Sequence, residues 1–180
     1  MKYNELNFLR KTLGLIYGVF LLFFPSKRMK KLPLIITLAG IIMRLWAAGI
    51  IRKNKRLSIR GPYSICRNPL YFGSFLVGLG LSLSLLPFVL ALLFPVIFLS
   101  IYIPKMKQEE EDLEEIFGNE FLKYKRDVNL FCPSFKSFES SEFSMKQAIK
   151  NKEYNISLGV IAIFVLRRFR TLLIWNKEQG

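Results

Sequence analysis

The stretch Gly61-Pro62-Tyr63-Ser64-Ile65-Cys66-Arg67-Asn68-Pro69-Leu70-Tyr71-Phe72-Gly73 decides how the chain is read. It lies between a basic loop and an apolar helix, and it combines turn formers, an arginine, an amide and two phenols. A plain junction between a loop and a membrane span needs none of that specificity. A ligand site at the edge of a bilayer uses all of it.

Working outward, apolar residues collect in blocks rather than on alternating faces. The chain of 180 residues is 52% hydrophobic, and its blocks read as long enough to cross a bilayer, which takes roughly 20 residues per helix. The periodicity predicts apolar helices over 7–25, 32–51 and 69–86, and a fourth from Pro87 to about Pro104. Pro25 and Pro33 bracket the first turn, and Leu85-Leu86-Pro87-Phe88 suits a tight corner. A charged helix follows over 105–117, with Gly118 as its C-cap, then a short helix over 120–127. Residues 134–144 read as loop, and 145–176 as one helix. Its apolar part, Ile156 to Leu166, is too short to cross a bilayer and precedes Arg167, Arg168 and Arg170, the pattern of an interfacial amphipathic helix.

The expected fold is therefore all-α and integral to the membrane. About four spans form two hairpins, with cytoplasmic and interfacial helices added. Residues 1–133 form the membrane domain, and 134–180 a C-terminal loop and interfacial helix.

The net charge of +14 points to nucleic acid or to a membrane surface. Position favours the membrane, because Lys27, Arg28, Lys30 and Lys31 follow one apolar block and Arg52, Lys53, Lys55 and Arg56 the next. No nucleic-acid module is recognisable. Four spans place the N-terminus, the 52–68 loop and the tail together, and their lysines and arginines mark that side as cytoplasmic. The 27–31 cluster conflicts with this topology.

Cys66 and Cys132 form no CxxC pattern and histidine is absent, so neither a cysteine–histidine metal site nor an imidazole base is expected. Cys66 adjoins Arg67, which can lower its pKa. Small residues in the third helix, Ser74 and Gly78, Gly80 and Ser84, suit close helix packing. Arg44 lies inside the second span, where a charge is costly and a functional candidate by default. It either attracts an anionic acceptor or lipid phosphate, or snorkels to the interface near Arg52.

A second polar block follows the helical hairpin: Glu109-Glu110-x-x-Leu113, Phe117-Gly118-Asn119-Glu120-Phe121 and Tyr124. Alone, it reads as a solvated acidic helix with an apolar stripe. Together with Arg44-Leu45-Trp46-Ala47, Gly61-Pro62-Tyr63, Arg67-Asn68-Pro69-Leu70-Tyr71-Phe72-Gly73 and Pro133, it resembles the isoprenylcysteine carboxyl methyltransferase and phospholipid methyltransferase superfamily over about 35–133.

The resemblance implies an integral-membrane enzyme using S-adenosylmethionine, in a fold unlike the Rossmann-type methyltransferases. It implies cofactor contacts at Gly61, Tyr63, Asn68, Pro69, Leu70, Tyr71, Gly73 and Glu109, catalytic roles for Arg67 and Glu110, and substrate contacts at Arg44 and Tyr124. Many members carry histidine where this chain has Asn68, an amide that cannot titrate near neutral pH.

The residue chemistry suits these roles. The fork of Arg67 can pair with the cofactor carboxylate or with a lipid headgroup. Glu109 or Glu110 can accept from ribose hydroxyls or an ammonium. Tyr63 and Tyr71 offer aromatic faces to a cation or adenine, or anchor at the interface.

Methyl transfer from a sulfonium is an in-line displacement needing no metal and no covalent enzyme intermediate. A carboxylate acceptor is already ionised, whereas an amine must lose a proton. The lack of histidine leans toward a carboxylate or thiolate acceptor, and carboxyl methylation of an isoprenylcysteine-like group is the leading expectation. N-methylation of a phosphatidylethanolamine-type lipid is the alternative, and a non-catalytic membrane scaffold or lipid-binding protein a third. Expected partners are membrane lipids and a lipophilic acceptor; neither nucleic acid nor metal is expected.

Overall fold

Apolar blocks rich in leucine, isoleucine and phenylalanine build the longer helices of this chain. The computed structural model describes residues 3–25, 30–52, 56–136 and 138–178. It contains eight helices among the described residues and no strand. They are α1 (Tyr3–Phe23), α2 (Leu34–Ile50), α3 (Pro62–Ile65), α4 (Pro69–Leu85), α5 (Phe88–Phe117), α6 (Asn119–Asp127), α7 (Met145–Lys150) and α8 (Tyr154–Glu178). The fold is all-α, as expected. Of these helices, α5 is long and apolar enough to cross a membrane, while α2, α4 and the Thr12–Phe23 part of α1 are shorter apolar helices. Lys27 and Arg28, which carry the topological conflict, lie outside the described residues.

The closest pairing is α2 on α4, and glycine makes it possible. A Cβ on Gly40 would sit 2.6 Å from the Gly73 carbonyl, and one on Gly80 would sit 2.6 Å from the Thr37 nitrogen. Gly78 meets the Phe94 ring of α5 instead. Small residues thus let α4 pass closely between α2 and α5. Phe75, Phe94, Phe98 and Tyr102 line the α4–α5 contact, with Phe98 and Tyr102 stacked at 4.0 Å.

Four expectations are corrected. The fourth span does not end at Pro104, because α5 continues unbroken through Pro95 and Pro104. Each proline deletes one helical hydrogen bond. Aromatic packing of α5 on α4 covers Pro95, and Tyr71 of α4 meets Tyr102 and Glu109 on either side of Pro104, so α4 supports the rod at both prolines, as neighbouring helices do in membranes.

Second, α1 does not form a packed hairpin with α2. It lies chiefly against α8, α5 and α4, and the Tyr17 hydroxyl bonds Ser82 and the Gly78 carbonyl.

Third, 145–176 is not one helix. The chain breaks at Asn151–Glu153, where Lys152 takes a left-handed φ of 57°.

Fourth, α8 does not lie apart on the surface. Val160 joins Leu21, Val77, Leu81 and Leu85 in a buried cluster. Arg167 donates to the Leu21 and Phe24 carbonyls, and Arg170 to those of Leu22 and Phe23. The arginines therefore satisfy the orphan carbonyls that end α1, rather than marking where packing stops.

The tail closes α2 in the same way. Gln147 of α7 and Asn151 just after it donate to the Ile51 and Ala48 carbonyls. Residues 129–134 and Glu139 lie beside 61–67, through Arg67 N–H to the Asn129 carbonyl (2.9 Å), Ser134 N–H to Ile65 (2.9 Å) and Gly61 N–H to Glu139 (2.7 Å). These bonds place the first motif against the end of α6 and hold both beside the polar end of α5.

Candidate active site

Pro69 begins α4, where its missing N–H costs nothing. The first turn of that helix then presents Leu70 and Ser74 toward α2, and Tyr71 toward α5. On α5, residues 98, 102, 105 and 109 recur at helical spacing, so Phe98, Tyr102, Lys105 and Glu109 share the face that meets α4. Where the stripe turns polar, the Tyr71 hydroxyl donates to Glu109 at 2.7 Å and the Tyr71 ring meets Tyr102 edge-on at 5.3 Å. Lys105 is fully buried, with its ammonium 3.7 Å from Glu109. The side chain of Glu109 remains 36% exposed. Beside it, the Gln108 Oε1 is buried with no hydrogen-bond partner among the described residues.

The other half of the motif does a different task. Arg67 grips Glu110 with Nε (2.6 Å) and Nη2 (3.3 Å), and its Nη1 donates to the Lys125 and Val128 carbonyls. Both partners are largely buried. The guanidinium ties α5 to the end of α6, so its fork serves the fold rather than lying open for a carboxylate.

The first motif is thus brought against the glutamates, and its residues divide. Tyr71 and Glu109 form a partly open polar site. Arg67 and Glu110 form the strut beneath it. Asn68 donates to the Leu130 carbonyl at 3.1 Å.

Several implied contacts are instead packing positions. Tyr63 is buried beside Ala47 and Ile50, and Tyr124 is buried with its hydroxyl on the Tyr63 carbonyl at 2.6 Å. Burial pushes both phenols above their ordinary range. Gly61 has φ 62° and faces Ile50 and Ser141, so it makes a turn that only glycine takes easily. The open side of Gly73 is filled by Arg44 and Gly40. Pro69 is fully buried, and Leu70 offers its carbonyl to Arg44 at 2.8 Å.

Arg44 is neither at this site nor snorkelling. It bonds Leu70 and Ser74 on the α2 side of α4 and pairs with Glu153, 109 residues away. Sequence reasoning missed Glu153, because one glutamate after a lysine in a polar turn carries no local signal. Cys66 is also corrected: burial outweighs the Asn68 backbone hydrogen bond and pushes the thiol up to about 12.

The sequence from the first residue of α2 to the start of α6 matches the phospholipid methyltransferase family over 34–120. Residues 34–120 belong to that family. The match contains Arg67, Tyr71, Glu109 and Glu110, and excludes the tail that caps α1 and α2. Among curated relatives, a cobalt-zinc-cadmium resistance protein, CzcN of Cupriavidus metallidurans, is 34% identical over 109 residues, 56% of this chain and 50% of that protein. A nickel-cobalt-cadmium resistance protein, NccN of Alcaligenes xylosoxydans xylosoxydans, is 35% identical over 99 residues, 54% of this chain and 46% of its own. The chain spans about half the length of the curated relatives it matches. No solved structure matches it. The phospholipid methyltransferase family is membrane-associated, which agrees with the long apolar α5.

Proposed function

We propose that the protein is a membrane-embedded methyltransferase that takes S-adenosylmethionine at the Tyr71–Glu109 site and methylates a lipophilic acceptor. The family match supports the reaction class, and the observation that carries the site is this tyrosine–glutamate pair at the polar end of an apolar rod. The donor set fits the cofactor. Glu109 and the unpartnered Gln108 Oε1 are acceptors for an ammonium or ribose hydroxyls, and Tyr71 and Tyr102 are aromatic neighbours for a cationic centre. Arg67 does not fit as the carboxylate partner, since Glu110 and two carbonyls use its fork. When bound, the cofactor supplies a methyl group on a sulfonium. Tyr71 holds the Glu109 carboxylate in one orientation, and the Arg67–Glu110 strut fixes the α5–α6 corner around it.

Membrane embedding by about four helices is part of this reading. The most apolar window of α5 is only 17% buried, and Val89, Val96 and Ile97 stand more than half exposed. On α1, α2 and α8, Leu15, Ile35, Leu38, Ile161 and Phe169 are similarly bare. A continuous apolar belt of this kind suits lipid rather than water. We place the Arg67 end in the cytoplasm because it carries the larger share of lysine and arginine.

An isoprenylcysteine-like carboxylate acceptor needs no base. One observation favours the second reading, an amine headgroup: Glu109 is a part-exposed carboxylate able to take the amine's proton. The relatives' names concern metal resistance. The described residues contain no group of three or more His, Cys, Asp or Glu able to hold a metal, so we carry no metal-binding role over.

Membranes containing the protein, supplied with methyl-labelled cofactor, test the proposal. Base-labile methanol from a lipophilic product identifies an ester; stable label on a headgroup identifies an amine. The absence of label in any lipophilic product would leave the scaffold reading.

A further inference from the structure

A cavity of about 180 Å³ lies between α2 and the α7–α8 turn. Ile41, Leu45, Ile149 and Ile156 give it apolar walls, and among the described residues Arg44 and Glu153 supply its charges. The first turn of α4 separates it from Tyr71 and Glu109, and α7 and α8 lie outside the family match.

The two charges are paired but not exhausted. Arg44 uses Nε on Glu153 Oε1 and Nη1 on the Leu70 carbonyl and Ser74 hydroxyl. Its Nη2 and the Oε2 of Glu153 have no hydrogen bond among the described residues. Each therefore retains an edge for a ligand, without the pair having to open. Opening it would strand a buried charge.

We propose that this cavity binds a zwitterionic membrane phospholipid, its phosphate on Arg44 Nη2, its ammonium on Glu153 Oε2, and the start of one chain along Ile41, Leu45 and Ile156. A lipid whose head is only anionic satisfies Arg44 but sets its charge beside Glu153, which repels it. The paired charges therefore select for a head carrying both signs. The site uses the membrane as its source of ligand and does not depend on cofactor binding or methyl transfer.

The full chain, purified in detergent, is exposed to equimolar lysophosphatidylethanolamine and lysophosphatidylglycerol with matched chains, and retained lipid is counted by native mass spectrometry. Retention of the zwitterionic lipid by about tenfold over the anionic one, a difference of about 1.4 kcal/mol, is expected. Glu153→Gln should erase that preference. Ser157→Trp fills the cavity without touching either charge, and should abolish retention of both lipids while the melting temperature stays near that of the parent. Free phosphoethanolamine should not compete, because it lacks the chain. Equal retention of the two heads by the parent protein would overturn the proposal, as would unchanged retention in Ser157→Trp. Intact binding of S-adenosylmethionine in these variants separates failure here from failure of the methyltransferase reading.

Discussion

Arg67 shows how one side chain can suit a ligand and a fold equally well. Its fork matches a carboxylate, and in the sequence the cofactor's carboxylate and that of Glu110 are equivalent candidates. The structure gives it to Glu110, with side-chain exposures of 10% and 8%. Removing the arginine leaves Glu110 buried and alone, which typically costs about 3–5 kcal/mol. Arg67→Ala is thus predicted to lower the melting temperature in detergent sharply, before any question of cofactor affinity arises. Arg67→Ala combined with Glu110→Gln should recover part of the loss. Cys66 is the other residue whose neighbours mislead. Its thiol titrates at about 12 in the fold against an ordinary 9.0. Below pH 9 both states hold the proton and stability is unaffected. As pH rises from 9 toward 12 the unfolded thiol ionises while the folded one does not, so stability falls by up to about 1.4 kcal/mol per pH unit. Melting curves between pH 9 and 10 should show a slope that Cys66→Ala reduces. Near neutral pH, maleimide should label exposed Cys132 and spare buried Cys66.

Among the elements, the α2–α4 pair is the most tightly specified. Gly40, Gly73 and Gly80 each face backbone of the opposing helix, and backbone cannot yield as a flexible side chain can. Gly40→Val is predicted to destabilise by about 1–3 kcal/mol or more through overpacking, read as a lower melting temperature. Gly14→Val, at a position with nothing within 4 Å of its Cβ, should not show this steric loss. The helices themselves were legible because their signals are local. Pro69 opens α4, Pro87 opens α5, and Gly118, at φ 51°, divides α5 from α6. The break before α8 was not legible, since neither glycine nor proline marks Lys152. Nor were the caps: Arg167 and Arg170 sit beside an apolar run as interfacial arginines do, and their carbonyl partners lie over 140 residues away.

At the scale of the molecule, the order of the two motifs and the hairpin between them sufficed to bring residues 61–73 against 109–110. That juxtaposition needs only α4 and α5 to turn back on each other. The division of labour inside the motifs was hidden, because burial distinguishes Tyr63 and Tyr124 from Tyr71, and that burial comes from α2 packing on Tyr63 and from α5 and α6 packing around Tyr124. The tail joins the bundle from outside the family segment, closing the carbonyl ends of α1 and α2 and enclosing Arg44. The central claim remains that Tyr71 and Glu109, at the polar end of α5, form the cofactor site. Calorimetric titration of detergent-purified protein with S-adenosylmethionine tests it most directly. Saturable binding is expected, weakened about tenfold or more in Glu109→Ala through loss of one carboxylate contact of about 1.5–3 kcal/mol, with the melting temperature measured alongside to separate affinity from folding. Undiminished binding in Glu109→Ala, or no binding by the folded parent protein, would contradict it.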